Sequence, residues 1–251
     1  LFGGLNDLCV YLDGEQPVIS TLPQGSILFR ARDCPNQSLT QEMLQDPIGN
    51  VGPPPPGDAS PGRMNAGGVS VLYAAQDLET AVSEIRPAIG SMSAVIQIRT
   101  TRPLKVLDFH LLEKAFQSIS FFDSHYDHLI ERLTFIRRLH SLISRPVHPN
   151  HAHEYMITQA MAEYLAYIHP EKVDGILFKS VQREDGVNIV LFPKPCGETL
   201  DDLVQFDIPV EYVTDSLEFR KAQSVKYCLD TCYEYSPGVI HSDFDDDFDF
   251  Y

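Results

Sequence analysis

Apolar residues recur along this chain with two different periods, and the switches between them outline its elements. From Ser26 to Arg32, after the turn signal Pro23-Gln-Gly25, alternation predicts a strand with Arg30 and Arg32 on one face. Strands are predicted again at Val69–Ala75, at Met92–Ile98 with Met92, Ala94, Ile96 and Ile98 alternating, and at Leu104–Asp108. Asp77 is placed to cap a helix carrying Leu78, Ala81, Val82 and Ile85, which Pro87 ends. Glu84 falls near the C-terminus of that helix, where a carboxylate opposes the helix dipole.

Residues 109–168 carry helical spacing. One stripe holds Tyr126, Leu129, Ile130, Leu133, Ile136, Leu139 and Ile143, and another holds Ile157, Met161, Tyr164, Leu165 and Ile168. Both read as core faces. Gly175–Ser180 and Val187–Phe192 read as strands joined through the hairpin chemistry of Glu184-Asp-Gly186, which leaves Ser180 at a strand's end. A further strand is predicted over Ile208–Val213. Strands mixed with clustered helices define an α+β fold. From Cys34 to Gly68 the chain is so rich in Pro, Gly, Asn and Asp that no regular element is expected, only a long loop of the kind that is usually either functional or disordered.

Charge narrows the partners. The net charge is −16, and the five aspartates of the stretch from Asp243 to Tyr251 account for less than a third of it. So acidic a protein repels nucleic-acid phosphates and anionic membrane surfaces, and neither is expected as a partner. No stretch reaches the ~18 consecutive apolar residues of a membrane span, and the cysteines at 9, 34, 196, 228 and 232 do not look like a disulfide framework. A cytoplasmic location is expected.

The common motif catalogue is empty: there is no phosphate loop, no dinucleotide fingerprint, no nucleophile elbow and no His-Glu-x-x-His. His148-Pro-Asn-His-Ala-His153-Glu154 is dense in ligand types but matches no zinc spacing, and Cys228 and Cys232 lack a second pair, so no metal is expected. The tail from His241 to Tyr251 interleaves carboxylates with aromatic rings and is expected to be disordered by itself. It reads either as a solvating appendage or as a docking peptide or plug for a basic site.

Three blocks in order change this picture. They are Phe29-Arg-Ala-Arg32; Gly62-Arg-Met-Asn-Ala-Gly-Gly-Val-Ser-Val-Leu-Tyr-Ala-Ala-Gln-Asp-Leu-Glu-Thr-Ala-Val-Ser-Glu-Ile-Arg-Pro87; and Asp174-Gly-Ile-Leu-Phe-Lys-Ser180 followed by Asn188-Ile-Val-Leu-Phe192. Together they resemble the RES-domain family, named for an Arg, a Glu and a Ser, over roughly residues 26–215. The resemblance implies an ADP-ribosyltransferase-like fold, a split mixed or antiparallel sheet around a central cleft, here with a helical insert. It also implies an NAD-degrading toxin of toxin–antitoxin type, with NAD as substrate, no separate cofactor, and restraint by a cognate antitoxin or by self-association. Arg30, Glu84 and Ser180 then match the signature, with Arg32 as rival to Arg30, and Arg63, Tyr73 and Asn188 beside the nucleotide. The expected organisation is an extension (1–25), the domain (26–215, largely helical over 109–168), a second extension (216–240) and the tail (241–251). The insert and the tail depart from the family's pattern.

The chemistry asked of these residue types is coherent. Nicotinamide leaves NAD neutral, so the barrier lies in forming a ribosyl oxocarbenium ion, which a carboxylate such as Glu84 stabilises. A guanidinium offers phosphate a planar fork of donors. Ser180 has no base placed by sequence, so it is assigned to orientation rather than covalent attack. Water, phosphate or a protein remain open as acceptors, and so does an inactive binding module.

Overall fold

The computed structural model describes residues 8–11, 15–112, 114, 121–122, 124, 126–128, 130–131, 133–135, 155–195, 206–224, 233–236 and 239–242. Strand β1 (Cys9–Tyr11) pairs with β2 (Glu15–Pro17) ahead of the main sheet. That sheet is built from β3 (Ile19–Leu22), β4 (Ile27–Asp33), β5 (Leu72–Ala75), β6 (Met92–Thr100), β7 (Leu104–Asp108), β8 (Gly175–Lys179) and β9 (Val187–Leu191). After the small pair β10 (Lys194–Pro195) and β11 (Phe206–Asp207), β12 (Val210–Tyr212) and β13 (Glu218–Lys221) both join β6. Strands β14 (Tyr233–Ser236) and β15 (Val239–Ser242) form a separate hairpin, so the tail's first residues, His241 and Ser242, are ordered by pairing rather than free.

The main sheet runs β12-β6-β4-β5-β9-β8-β7-β3. Its one parallel contact among the described strands, β7 with β8, needs a long crossover, and residues 109–174 between them, which include the helices Phe109–Leu112 and Met156–Glu163, supply it. The fold is thus α+β around a mixed sheet. Strand β4 pairs with β6 along its whole length, yet meets β5 through the single pair Phe29 and Ala75. Beyond that pair the two strands are no longer partners. The sheet therefore has a weak seam, and the cleft opens there.

Both faces of the sheet are covered. Ile176 and Val190 point into one core with Leu107, Phe109, Met161 and Phe192, while Leu177, Ile189 and Leu191 point into the other with Leu28, Met43, Val51 and Ile96. Period-2 alternation sends neighbours to opposite cores, which is why Ile176–Phe178 and Ile189–Phe192 read as continuous apolar runs. Leu8, Val10 and Val18, ahead of residue 26, are buried in the first core.

Two expectations change. The stretch from Cys34 to Gly68 is not wholly irregular, because it holds helices α1 (Gln37–Gln45) and α2 (Pro47–Val51). Asn36 caps the first by accepting from Leu39 N–H at 2.9 Å, and Asp46 caps the second by accepting from Gly49 N–H at 2.9 Å, with Pro47 at its first position. The residues that look like loop punctuation are caps, and Met43 and Val51 anchor the helices in the core.

The second concerns the helix Met156–Glu163 and the π-helical turn Tyr164–Ile168 that continues it. Their buried face is Thr158, Met161, Ala162, Leu165 and Ala166, so Ile157 and Ile168 of the predicted stripe are exposed. Thr158 turns inward because its hydroxyl bonds the Arg63 carbonyl, and the wide π turn rotates Ile168 off the face. Of the earlier stripe, Leu133 is buried, Tyr126 half-buried and Ile130 exposed; Leu129, Ile136, Leu139 and Ile143 lie outside the described residues. So do Cys196, Cys228, Cys232, the segment 148–154 and the tail beyond Ser242.

Candidate active site

The acidic wall of the cleft begins with helix α3 (Leu78–Glu84). Asp77 caps it as expected, accepting from Thr80 N–H at 2.9 Å and from Thr80 Oγ1 at 2.7 Å, a cap contributing ~1 kcal/mol. Arg183, in the turn between β8 and β9, bonds Asp77 and reaches Glu79 at 2.7 Å. The same hairpin holds the other end. Ser180 Oγ donates to Glu84 Oε1 at 2.5 Å, and Asn188 Nδ2 donates to the same oxygen at 2.8 Å.

Glu84 is the last residue of α3, where the dipole disfavours a negative charge; two donors on one oxygen offset that local cost. Glu84 Oε2 has no hydrogen-bond partner among the described residues. Arg86 does not take it. With the Gln182 amide oxygen turned toward it, Arg86 donates there from Nε at 3.1 Å and Nη2 at 2.9 Å. Ser180 Oγ also accepts from Gln182 N–H and Arg183 N–H, each at 3.1 Å. With its hydrogen given to Glu84 and its lone pairs facing two amides, the Ser180 hydroxyl joins the carboxylate to the turn after β8.

The arginine wall stands across the seam. Arg30 Nε donates to the Val51 carbonyl and Nη1 to the Tyr73 carbonyl, both at 2.7 Å. One side chain thereby ties α2 to β5 where the β4–β5 ladder stops, supplying donors the missing ladder would have given. Burial and the neighbouring Arg32 charge pull the Arg30 guanidinium down to about 10, which still leaves it charged at neutral pH. Arg32, more exposed, donates from Nη1 to the Asn50 carbonyl at 2.6 Å.

Tyr73 is half-buried, and its hydroxyl donates to Asn65 Oδ1 and accepts from Met64 N–H, both at 2.9 Å. Burial pushes the phenol up to about 12, so it stays neutral. It lines the cleft and packs against the first core, and its hydroxyl is occupied within the protein.

The two walls enclose a cavity of about 520 Å³, within the ~300–1,000 Å³ usual for small-molecule sites. Arg30, Arg32, Tyr73, Glu84 and Asn188 all line it, and Ser180 stands behind Glu84. Arg63 is not among the lining residues; its guanidinium lies 6.0 Å above the Tyr155 ring. Sequence reasoning missed Asn65, which lines the cavity while 3% exposed, and Arg183, which straps α3 to the hairpin. Asn65 sits inside the most specific block, so a signal existed; for Arg183 there was none. Among the described residues no cluster of His, Cys, Asp and Glu is arranged to hold a metal, and no helix is long and apolar enough to cross a membrane.

The chain is an α+β domain whose arginines and hydrogen-bonded carboxylate line one cavity of small-molecule size at a seam in its sheet. The model of the RES domain matches residues 27–215, well over half of the chain, and the chain belongs to that family. The family is associated with NAD-processing enzymatic activity. No curated protein and no solved structure matches the chain.

Proposed function

We propose that this protein cleaves NAD between nicotinamide and ribose and passes ADP-ribose to water or phosphate. The observation that carries the reading is Glu84: one carboxylate oxygen is fixed by Ser180 and Asn188, and the other has no partner among the described residues, on a cavity that two arginines also line. The C1′–N bond breaks with its electron pair going to nicotinamide, which leaves neutral. Positive charge spreads over C1′ and the ring oxygen, and the carboxylate opposes it while bonding ribose hydroxyls. The arginines hold the pyrophosphate so that the ribose distorts around a fixed point. The acceptor oxygen then bonds C1′ and releases a proton when the acceptor is water.

The seam between β4 and β5 supports reading the sheet as ADP-ribosyltransferase-like. An enzyme that consumes NAD needs restraint in its own cell, and we assign that to a cognate antitoxin or to self-association, with the acidic tail as candidate contact for the arginine-bearing cleft. The decisive experiment incubates pure protein with NAD, with and without phosphate, and identifies the products by mass. Free nicotinamide with ADP-ribose or its 1-phosphate supports the reading. Label transferred to a protein makes the chain an ADP-ribosyltransferase, and binding without turnover makes it an inactive module.

A further inference from the structure

Tyr73 bears on the cleft through two different groups. Its carbonyl accepts from Arg30 Nη1 at 2.7 Å, and its hydroxyl is held by Asn65 and Met64. Asn65 in turn directs Nδ2 at the carbonyls of Ser60, Ala66 and Val69, at 3.0, 3.1 and 3.0 Å. A buried amide bonded on both ends to its own protein has little to offer a ligand, even though it lines the cavity. Its value lies in what it fixes.

The surroundings are built for this contact. A Cβ on Gly62 would stand 2.6 Å from Asn65 Oδ1 and 2.8 Å from the Tyr73 hydroxyl oxygen, so only glycine lets the chain pass over the pair. From outside, Thr158 Oγ1 donates to the Arg63 carbonyl at 2.5 Å, and Gln159 Nε2 donates to the Gly62 carbonyl at 2.8 Å. The loop is therefore gripped from within by Asn65 and from without by a helix. Arg32 does not bond Tyr73; it is anchored on α2 through the Asn50 carbonyl, next to the Val51 carbonyl that takes the Nε of Arg30.

We propose that Asn65 is a positioning residue for the dinucleotide site: through the Tyr73 hydroxyl it sets where Arg30 stands, so that Asn65, Tyr73 and Arg30 act as one unit and Arg32 acts separately. This rests on the NAD reading of the cleft. Removing the Asn65 amide leaves Met64 N–H as the only hold on the Tyr73 hydroxyl and, within the give of the β5–β9 ladder, loosens the residue whose carbonyl aims Arg30. Groups in one hydrogen-bonded chain show non-additive substitutions, while groups without shared partners show additive ones.

The test is a pair of double-mutant cycles on the full chain, read by calorimetric binding of ADP-ribose and by KM and kcat for nicotinamide release from NAD. Asn65→Ala should weaken ADP-ribose binding about tenfold and raise KM while kcat stays within about threefold, because Glu84 is untouched. Adding Arg30→Lys to Asn65→Ala should weaken binding little beyond the worse single variant. Adding Arg32→Ala should multiply the two single effects. Tyr73→Phe should reproduce both patterns, and it decides the matter alone if Asn65→Ala does not fold. Multiplicative losses in the Arg30 cycle, or full ADP-ribose affinity in Asn65→Ala, overturn the relay. A wild type that binds ADP-ribose without cleaving NAD removes the proposed reaction and leaves the relay to be judged on binding; one that binds no ADP-ribose overturns both.

Discussion

The two walls of the cleft are held by opposite means. On the acidic wall, side chains hold a side chain: Ser180 and Asn188 bond one oxygen of an exposed glutamate and leave the other unpartnered among the described residues. On the arginine wall, side chains hold backbone: Arg30 bonds the carbonyls of Val51 and Tyr73, and Asn65 those of Ser60, Ala66 and Val69. The first arrangement leaves bonding capacity for a reacting atom. The second consumes capacity to fix shape. Substitutions on the acidic wall should therefore change chemistry with little effect on stability, and substitution of Arg30, which holds backbone on the other wall, should change affinity and stability together.

The largest effect is expected at Glu84. Glu84→Gln keeps the shape and the hydrogen bond to Ser180 but removes the charge, so kcat for nicotinamide release should fall ~10²–10³-fold with thermal stability near wild type. Wild-type turnover in this variant would remove the acidic wall from the chemistry and end the contrast.

Next comes Arg30→Ala, which strands two carbonyls at a seam and should cost ~1–3 kcal/mol of stability along with NAD affinity. Arg32→Ala, at an exposed site, should cost less than ~1 kcal/mol and affect affinity alone. Denaturant melts beside KM values decide it, and a larger stability loss at Arg32 would reverse the roles of the two arginines.

Ser180→Ala should slow turnover by ~10-fold without abolishing it, since Asn188 still holds Glu84. Recovery of an ADP-ribosylated Ser180 peptide from a quenched reaction would show that the hydroxyl attacks rather than orients.

The smallest effect is in pH. The Tyr73 phenol is raised to about 12 by burial, so the folded protein keeps a proton that the unfolded chain loses near 10. The stability this contributes is fully present below pH ~10 and is lost as pH climbs toward 12. Between pH 10 and 11 the melting temperature of wild type should therefore fall more steeply than that of Tyr73→Phe. Parallel slopes would mean that the phenol is not shielded on this wall.

Much of the architecture was legible in local pattern. Alternation located β4 and β6, short apolar segments beside turn signals located β7, β8 and β9, and Asp77 announced α3, because these elements are fixed by side-chain pattern and a cap that act within a few residues. Helices α1 and α2 were not legible, since Asn36, Asp46 and Pro47 serve equally as turn formers and as caps. Only the burial of Met43 and Val51 chooses between those uses. The face of the Met156–Glu163 helix was misjudged for a related reason: a threonine bonding the Arg63 carbonyl outranked a larger isoleucine.

The sequence by itself determined the α+β class, the ordered blocks that place the chain in its family, and the identity of Arg30, Glu84 and Ser180 as residues to watch. Tertiary structure alone decided that Ser180 and Asn188 converge on one oxygen of Glu84, that the Tyr73 hydroxyl faces Asn65, and that Arg63 lies off the cavity. The reason is range. Propensity and periodicity act between neighbours, whereas a site is made where a seam in the sheet brings residues 96 or 104 positions apart within hydrogen-bonding distance.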